Sequence, residues 1–367
     1  MNAVKCAALA TALAMVTLGA PEREAWAGGS PKGYSGRFGK VTTKHYAVHP
    51  EGSEFYAEEW EIRAWTDAGE SVSVNFVINN LGFGDNKLVV QASARPAGGK
   101  KTKAKKKYDD DDWSHSNSPF RIEAGGNTLS GGPGKLQAKV SVGGVKVDIT
   151  IVNQLPAWRP ANGRLNYGEP DEYYDFTYLA PRAKVSGTVV VGGKEFTLKD
   201  AVGWADHRIV NVPPNVAGKR WLTWRSFDGD WTVLIQEVQF PSDVGGRKSR
   251  FLLVGYKDRI VFQSIRFKVK YGSLKNDAKS SKGYKYPLGL RIEANSGDRT
   301  VVMTVKGKLS SRKDLLSSLG AAKALVSRFV APVGYYINGE YDLRVVLDGQ
   351  TFTHHGKGAY VFKQVNP

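Results

Sequence analysis

Short runs in which apolar and polar residues alternate, each closed by Gly, Asn, Asp or Ser, repeat along most of the chain. Successive side chains of a β-strand point to opposite faces, so this period of two predicts strands with one buried face. Ser71 to Ile78 sets the pattern, and Leu88 to Ala94, Gly134 to Val142, Val145 to Val152, Lys184 to Val191 and Glu195 to Lys199 follow it. It continues through Trp231 to Phe240, Arg250 to Tyr256, Ile260 to Tyr271, Leu288 to Ala294, Thr300 to Leu309, Tyr341 to Leu347 and Ala359 to Lys363. Gly143-Gly144 and Gly192-Gly193 each join two runs and read as two-residue hairpin turns needing positive φ. Many short strands at this spacing predict an antiparallel sandwich or barrel.

Two stretches break the pattern. Lys100 to Lys107 holds six lysines ahead of Asp109 to Asp112, a charge-segregated run that predicts a solvated loop insertion over 98–118. From Ser311 to Val330, the residues Leu315, Leu316, Leu319, Ala322, Leu325, Val326 and Phe329 recur at helical spacing behind a Ser310 or Ser311 cap. That predicts one amphipathic helix packed on a barrel wall.

The N-terminus reads as an export signal: Lys5, an apolar run from Ala7 to Ala20, and Ala25-Trp26-Ala27 as a small-x-small cleavage site near Ala27. The expected destination is periplasmic or secreted. Cys6, the sole cysteine, leaves with the signal, so the mature chain holds no disulfide, thiolate metal site or cysteine nucleophile. Its length predicts two domains, and 41% hydrophobic residues supply two cores. After the signal no run approaches the ~18 apolar residues of a spanning helix.

The formal net charge is +17, and it is uneven. From Gly28 to His207 there are 23 Lys and Arg against 21 Asp and Glu, whereas from Arg208 to Pro367 there are 27 against 12. Arg266, Lys268 and Lys270 alternate with Phe267, Val269 and Tyr271, which puts three cations on one strand face. That face suits an anionic membrane surface or lipopolysaccharide, and equally a merely solvated wall. Nucleic acid is not expected, because no recognisable binding module accompanies the charge.

Asn80-Leu81-Gly82-Phe83-Gly84-Asp85-Asn86-Lys87-Leu88 and Pro181-Arg182-Ala183-Lys184-Val185-Ser186-Gly187-Thr188-Val189, followed by Trp204 to His207 and an aromatic run from Trp221 to Phe227, resemble signatures of the fungal survival-factor proteins. That family is related to carotenoid 1,2-hydratases and AttH-like proteins. The resemblance implies an all-β fold of two lipocalin-like antiparallel β-barrels in tandem, spanning 28–205 and 206–367, and a hydrophobic ligand. In the fungal relatives this accompanies sphingolipid handling and oxidative-stress survival. The residues after His207 depart from the hydratase pattern, since Arg208-Ile209-Val210 replaces a further acidic-aromatic pair.

Asp206 and His207 are the candidate catalytic residues should the protein be an enzyme, flanked by Trp204, Trp221 and Trp224. A carboxylic acid of raised pKa among tryptophans can protonate an alkene and shelter the resulting cation. The same dipeptide serves equally well as a hydrogen-bonded pair or a cap on a linking turn. Tyr174, Phe176 and Tyr178 face one way and Tyr173 and Asp175 the other, so the first three, with the three tryptophans, are candidate ligand-lining residues or ordinary core.

No metal is expected. His354-His355 is adjacent rather than on one face, His45 and His49 fall in a loop or frayed strand, and Asp109 to Asp112 lacks the glycine and terminal glutamate of a calcium loop. No nucleophile elbow or phosphate-binding glycine loop occurs, so no cofactor is implied. The favoured reading is an exported protein that binds, sequesters or transfers a lipid or other long hydrophobic molecule in envelope or oxidative-stress protection. The alternatives are a hydratase, cyclase or isomerase of an isoprenoid or polyene, and an envelope protein whose partner is an anionic polymer.

Overall fold

The computed structural model describes residues 31–80, 86–212, 214–242, 245–316 and 332–365. The export segment and most of the predicted helix lie outside them, as do residues 81–85 of the first signature. The described chain is almost wholly antiparallel β-structure, as the alternation requires, and it divides into two compact units.

The first unit comprises Gly36–Arg164 and Tyr173–Asn211. Its strands are β1 (Tyr56–Trp65), β2 (Ser71–Asn79), β3 (Lys87–Arg95), β4 (Thr102–Tyr108), β5 (Trp113–Asn117), β6 (Phe120–Ala124), β7 (Asn127–Gly132), β8 (Lys135–Val142), β9 (Val145–Asn153), β11 (Tyr173–Val191) and β12 (Lys194–Asn211), with the short β10 (Arg164–Asn166) before Tyr173. Their order is β4-β3-β2-β1-β12-β11-β9-β8-β7-β6-β5. Every strand therefore lies beside its neighbour in sequence, the first pairs with the last, and the ladder is interrupted between β4 and β5. That is an up-and-down barrel with one open seam. Inward residues such as Trp60, Ile62, Val74, Phe76, Val90, Ile122, Ile149 and Val185 fill it.

The second unit, Leu165–Glu172 and Val212–Pro367 with the described part of Lys5–Ser35, repeats the scheme. It contains β13 (Arg220–Asp228), β14 (Trp231–Gln239), β15 (Lys248–Tyr256), β16 (Arg259–Ser264), β17 (Lys268–Asn276), β18 (Lys285–Ser296), β19 (Arg299–Asp314), β20 (Val333–Leu347) and β21 (Gln350–Gln364). Their order is β16-β15-β14-β13-β21-β20-β19-β18-β17. Here too the first strand pairs with the last, and the seam falls between consecutive strands. Leu222, Trp224, Ile235, Leu252, Ile292, Ile337 and Tyr360 belong to its core. The tandem-barrel expectation is thus met.

Two local expectations are corrected. The lysine run is not a loop: Thr102–Tyr108 pairs with β3 from Ala94↔Thr102 to Leu88↔Tyr108, and Trp113–Asn117 forms β5. Both strands border the seam, where most β4 side chains meet water, so the hydrophobic alternation that marks other strands is missing. Lysines on such an edge oppose pairing with a second chain. Likewise Ser311 to Asp314, expected to open a helix, extend β19 opposite Tyr336 to Val333.

Gly187, in the second signature, follows a register shift in β11 and has φ +143°. A Cβ there would lie 2.1 Å from the Asp148 carbonyl oxygen. Gly187→Ala is accordingly expected to destabilise the first barrel by about 2–4 kcal/mol in urea unfolding, from backbone strain plus displacement of β9.

Candidate functional site

In β1 the alternation sends Tyr56, Glu58, Trp60, Ile62 and Ala64 to one face, and Trp60, Ile62 and Ala64 belong to the barrel core. Glu58 thus occupies an apolar position of an inward series, and it is fully buried, with 0% exposure. On β12 the inward series includes Ala205, His207 and Ile209, and the register sets Trp60 opposite His207. The two rings stack at 4.5 Å with 11° between planes.

The carboxylate of Glu58 accepts four hydrogen bonds. Oε1 receives His207 Nε2 at 2.7 Å and His49 Nδ1 at 3.0 Å, while Oε2 receives the His49 backbone N–H at 2.9 Å and the Tyr56 hydroxyl at 2.5 Å. Burial alone would push this carboxyl up. The hydrogen bonds and charges of His207 and His49 outweigh it and hold the group at about 2. The same contact raises His49 above its ordinary value, against the opposing effect of burial. Burial first, then Glu58, drives the Tyr56 hydroxyl far upward, so it stays a donor.

His207 Nδ1 faces the His45 carbonyl at 2.8 Å. A carbonyl only accepts, so that nitrogen carries hydrogen and Nε2 shares its proton with Glu58. Trp60 donates Nε1–H to the Tyr46 carbonyl at 3.0 Å, which fixes the indole beneath the imidazole. Towards the strand ends, Asn211 donates to Glu51 at 2.9 Å and the Tyr173 hydroxyl bonds the same carboxylate. Side-chain exposure is 42% at His49, 4% at His207 and 0% at Glu58. Protons therefore have a relay from solvent through His49 to the buried Glu58–His207 hydrogen bond.

His49, Glu58 and His207 are also the one His and carboxylate group among the described residues whose donor atoms lie within 4.8 Å of one another, as a metal ion would need. Ligands around a tetrahedral zinc stand about 3.3 Å apart, given zinc–nitrogen bonds near 2.0–2.1 Å. Glu58 Oε1 sits closer than that to both imidazoles, so the arrangement is one of proton sharing.

The residues singled out in the sequence scatter around this site. Asp206 and His207 are neighbours in one strand and so point to opposite faces. Asp206 lies on the outward face with Arg208, whose Nε is 3.1 Å from Oδ1. The carboxylate partner of His207 is instead Glu58, from the adjacent strand. The expected boundary between 205 and 206 falls inside β12, and the first unit continues to Asn211.

Tyr174, Phe176 and Tyr178 share a face, but it is the outward one, since Phe176 pairs with Arg208 and Tyr178 with Asp206. They are buried there, with Trp158 exchanging backbone hydrogen bonds with Tyr178. Trp204 is outward and buried, under the Arg63 guanidinium at 5.8 Å. Trp221 takes the face opposite Leu222, whereas Trp224 is core in the second barrel, edge-on to Tyr341 at 5.5 Å. Arg266, Lys268 and Lys270 are exposed and Phe267, Val269 and Tyr271 turn inward, with Lys270 3.7 Å from Glu293.

Glu58 was readable from the sequence by parity with Trp60 and Ile62. His49 carries no such signal, because it precedes β1 and reaches Glu58 only through the fold.

No family model matches the chain, and no curated protein matches it in sequence. Among solved structures it is similar to CghA in a crystal structure with Sch210972, with a TM-score of 0.58 and 12% identity over 91% of this chain and 98% of that one. The AttH-like protein of Nitrosomonas europaea gives 0.50 and 15% over 87% and 95%. Kievitone hydratase from Nectria haematococca gives 0.49 and 15% over 91% and 97%. The chain shares the lipocalin-like fold of CghA and of the AttH-like protein.

Proposed function

We propose that the first barrel binds a hydrophobic, carbonyl-bearing small molecule beside His49 and exchanges a proton with it, as a hydratase, isomerase or cyclase does. The observation that carries this is Glu58, a carboxylate with no exposure in an apolar barrel, hydrogen-bonded to two imidazoles. Glu58 fixes the His49 tautomer through Nδ1, which leaves Nε2 to take or give a proton. His207 and Tyr56 position the carboxylate, and Trp60, stacked on the His207 ring, holds that imidazole in place.

Because Glu58 is held ionised, it is not the strong acid that an isolated alkene demands. An imidazole suits a softer task, such as proton transfer α to a carbonyl or water addition to an enone, and this narrows the substrate class from polyenes to conjugated carbonyl compounds. That CghA, of the same fold, has been crystallised with Sch210972 supports a small organic ligand. In the same reading, export places the protein in the envelope or outside the cell, and Arg266, Lys268 and Lys270 dock it to an anionic membrane surface. A role in lipid handling under oxidative stress, as in the survival-factor proteins, accords with this setting.

Detergent-free purification with native mass spectrometry and organic extraction identifies the ligand class, and that ligand, with a panel of hydrophobic enones, is then incubated with the protein in D2O. Deuterium entering at a carbon α or γ to the carbonyl is the expected result. A retained ligand with no exchange overturns proton transfer and leaves binding alone. A bare mass with no exchange on any enone overturns both.

A further inference from the structure

The second barrel has its own charged group on the inward face. Alternation sends Arg220, Leu222 and Trp224 of β13, Ile235 and Glu237 of β14, and Lys248, Arg250 and Leu252 of β15 to one side. Arg220, Glu237, Lys248 and Arg250 therefore gather at one end of that barrel, beside Tyr271 of β17.

Glu237 is buried, and its hydrogen bonds are spoken for: Oε2 accepts Arg250 Nε at 2.5 Å and Oε1 accepts the Tyr271 hydroxyl at 2.6 Å. Arg250 makes its short ion pair, and Arg220 and Lys248 share the same carboxylate as longer ones, so three cations face one anion. Arg220 Nη2 and Lys248 Nζ stand off from Oε1 at 3.5 and 3.7 Å, too far for a good hydrogen bond. No second carboxylate among the described residues answers these two cations. The Arg220 guanidinium lies over the rings of Tyr271 at 4.8 Å and Phe362 at 5.5 Å, and its buried Nε has no hydrogen-bond partner among the described residues.

Deeper on the same face, Trp224 is fully buried with an indole N–H that likewise has no partner among the described residues. Buried donors without a partner, and three half-buried cations sharing one carboxylate, are unfavourable. An anion completes this arrangement, and the aromatic and aliphatic residues behind it suit an apolar chain.

We propose that this end of the second barrel binds the carboxylate or phosphate group of an amphiphilic small molecule. Arg220 and Lys248 contact the anion, Arg250, Glu237 and Tyr271 form the frame that holds them, and the apolar remainder lies against Phe362, Leu222 and Trp224. The site is separate from Glu58 and does not depend on the chemistry assigned to it.

Titration calorimetry on the full chain tests this, with dodecanoate, dodecyl phosphate and the uncharged dodecanol as probes. At least one charged probe is expected to bind, with affinity falling as salt rises. Which of the two binds tighter separates a carboxylate from a phosphate source. The double variant Arg220→Met, Lys248→Met should weaken that binding about ten- to a hundredfold and leave dodecanol unaffected.

Equal affinity of the folded variant for the charged probes overturns the proposal. So does dodecanol binding the wild type as tightly as dodecanoate, or neither charged probe binding below about 1 mM. Should the double variant fail to fold, Lys248→Gln decides instead. It removes a cation that makes no direct hydrogen bond to Glu237, and it should lower the affinity several-fold and flatten the salt dependence. An unchanged affinity overturns the site.

Discussion

Replacing Arg208 by methionine is expected to destabilise the first barrel by about 3–5 kcal/mol at neutral pH, a large part of the 5–15 kcal/mol that holds a typical domain folded. Arg208 stands on the outward face of β12 among three buried carboxylates, 2.5 Å from Glu61, 3.1 Å from Glu59 and 3.1 Å from Asp206. Burial opposes its charge, yet these three hold the guanidinium firmly protonated. Burial also pushes Glu59 up, with Arg208 pulling it back.

Methionine keeps the packing and removes the charge, so the acids are left mutually repelling with Arg63 as their remaining guanidinium. They respond by taking up protons. Folded-state values raised above the unfolded ones mean that the native variant binds more protons than its unfolded chain, so its stability recovers as pH falls. Urea unfolding at pH 7 and pH 5 should show the deficit shrinking on acidification. A variant as stable as wild type at pH 7 would show that the cluster contributes nothing.

Glu58→Gln should lower any proton-transfer rate by about two to four orders of magnitude, whereas Asp206→Asn should leave it within a few-fold. Glutamine fills the same space but lacks the carboxylate charge that both imidazoles bond to, and its amide lets His49 and His207 turn to other tautomers. Asp206 is one residue from His207 in sequence and on the other side of the sheet, so its loss falls on the Arg208 cluster and shows in unfolding instead. Deuterium exchange into the bound enone measures the first effect and urea unfolding the second. Equal rates in wild type and Glu58→Gln, with the ligand still bound, would remove Glu58 and His49 from the chemistry.

The sequence by itself determined most of the strands, the Gly-Gly turns between them and, within each run, the parity of the side chains. Period-two alternation is a local property, and it already implied that Tyr174, Phe176 and Tyr178 share a face; once Tyr56–Trp65 and Lys194–Asn211 are strands, it also sends Glu58 inward with Trp60 and sets Asp206 and His207 apart. It failed at the lysine-rich β4, where an edge strand with wet side chains needs no alternation. Parity does not say which strands lie side by side.

Only the tertiary structure decided that β1 closes onto β12, which brings His207 to a carboxylate 149 residues away. It also decided that the Tyr174 stripe faces out and that His49 and the His45 carbonyl reach the same pair. The physical reason is that backbone hydrogen bonds between strands are alike whatever the side chains. Which distant strand completes a barrel is therefore settled by how the whole ladder closes and packs, not by any one segment.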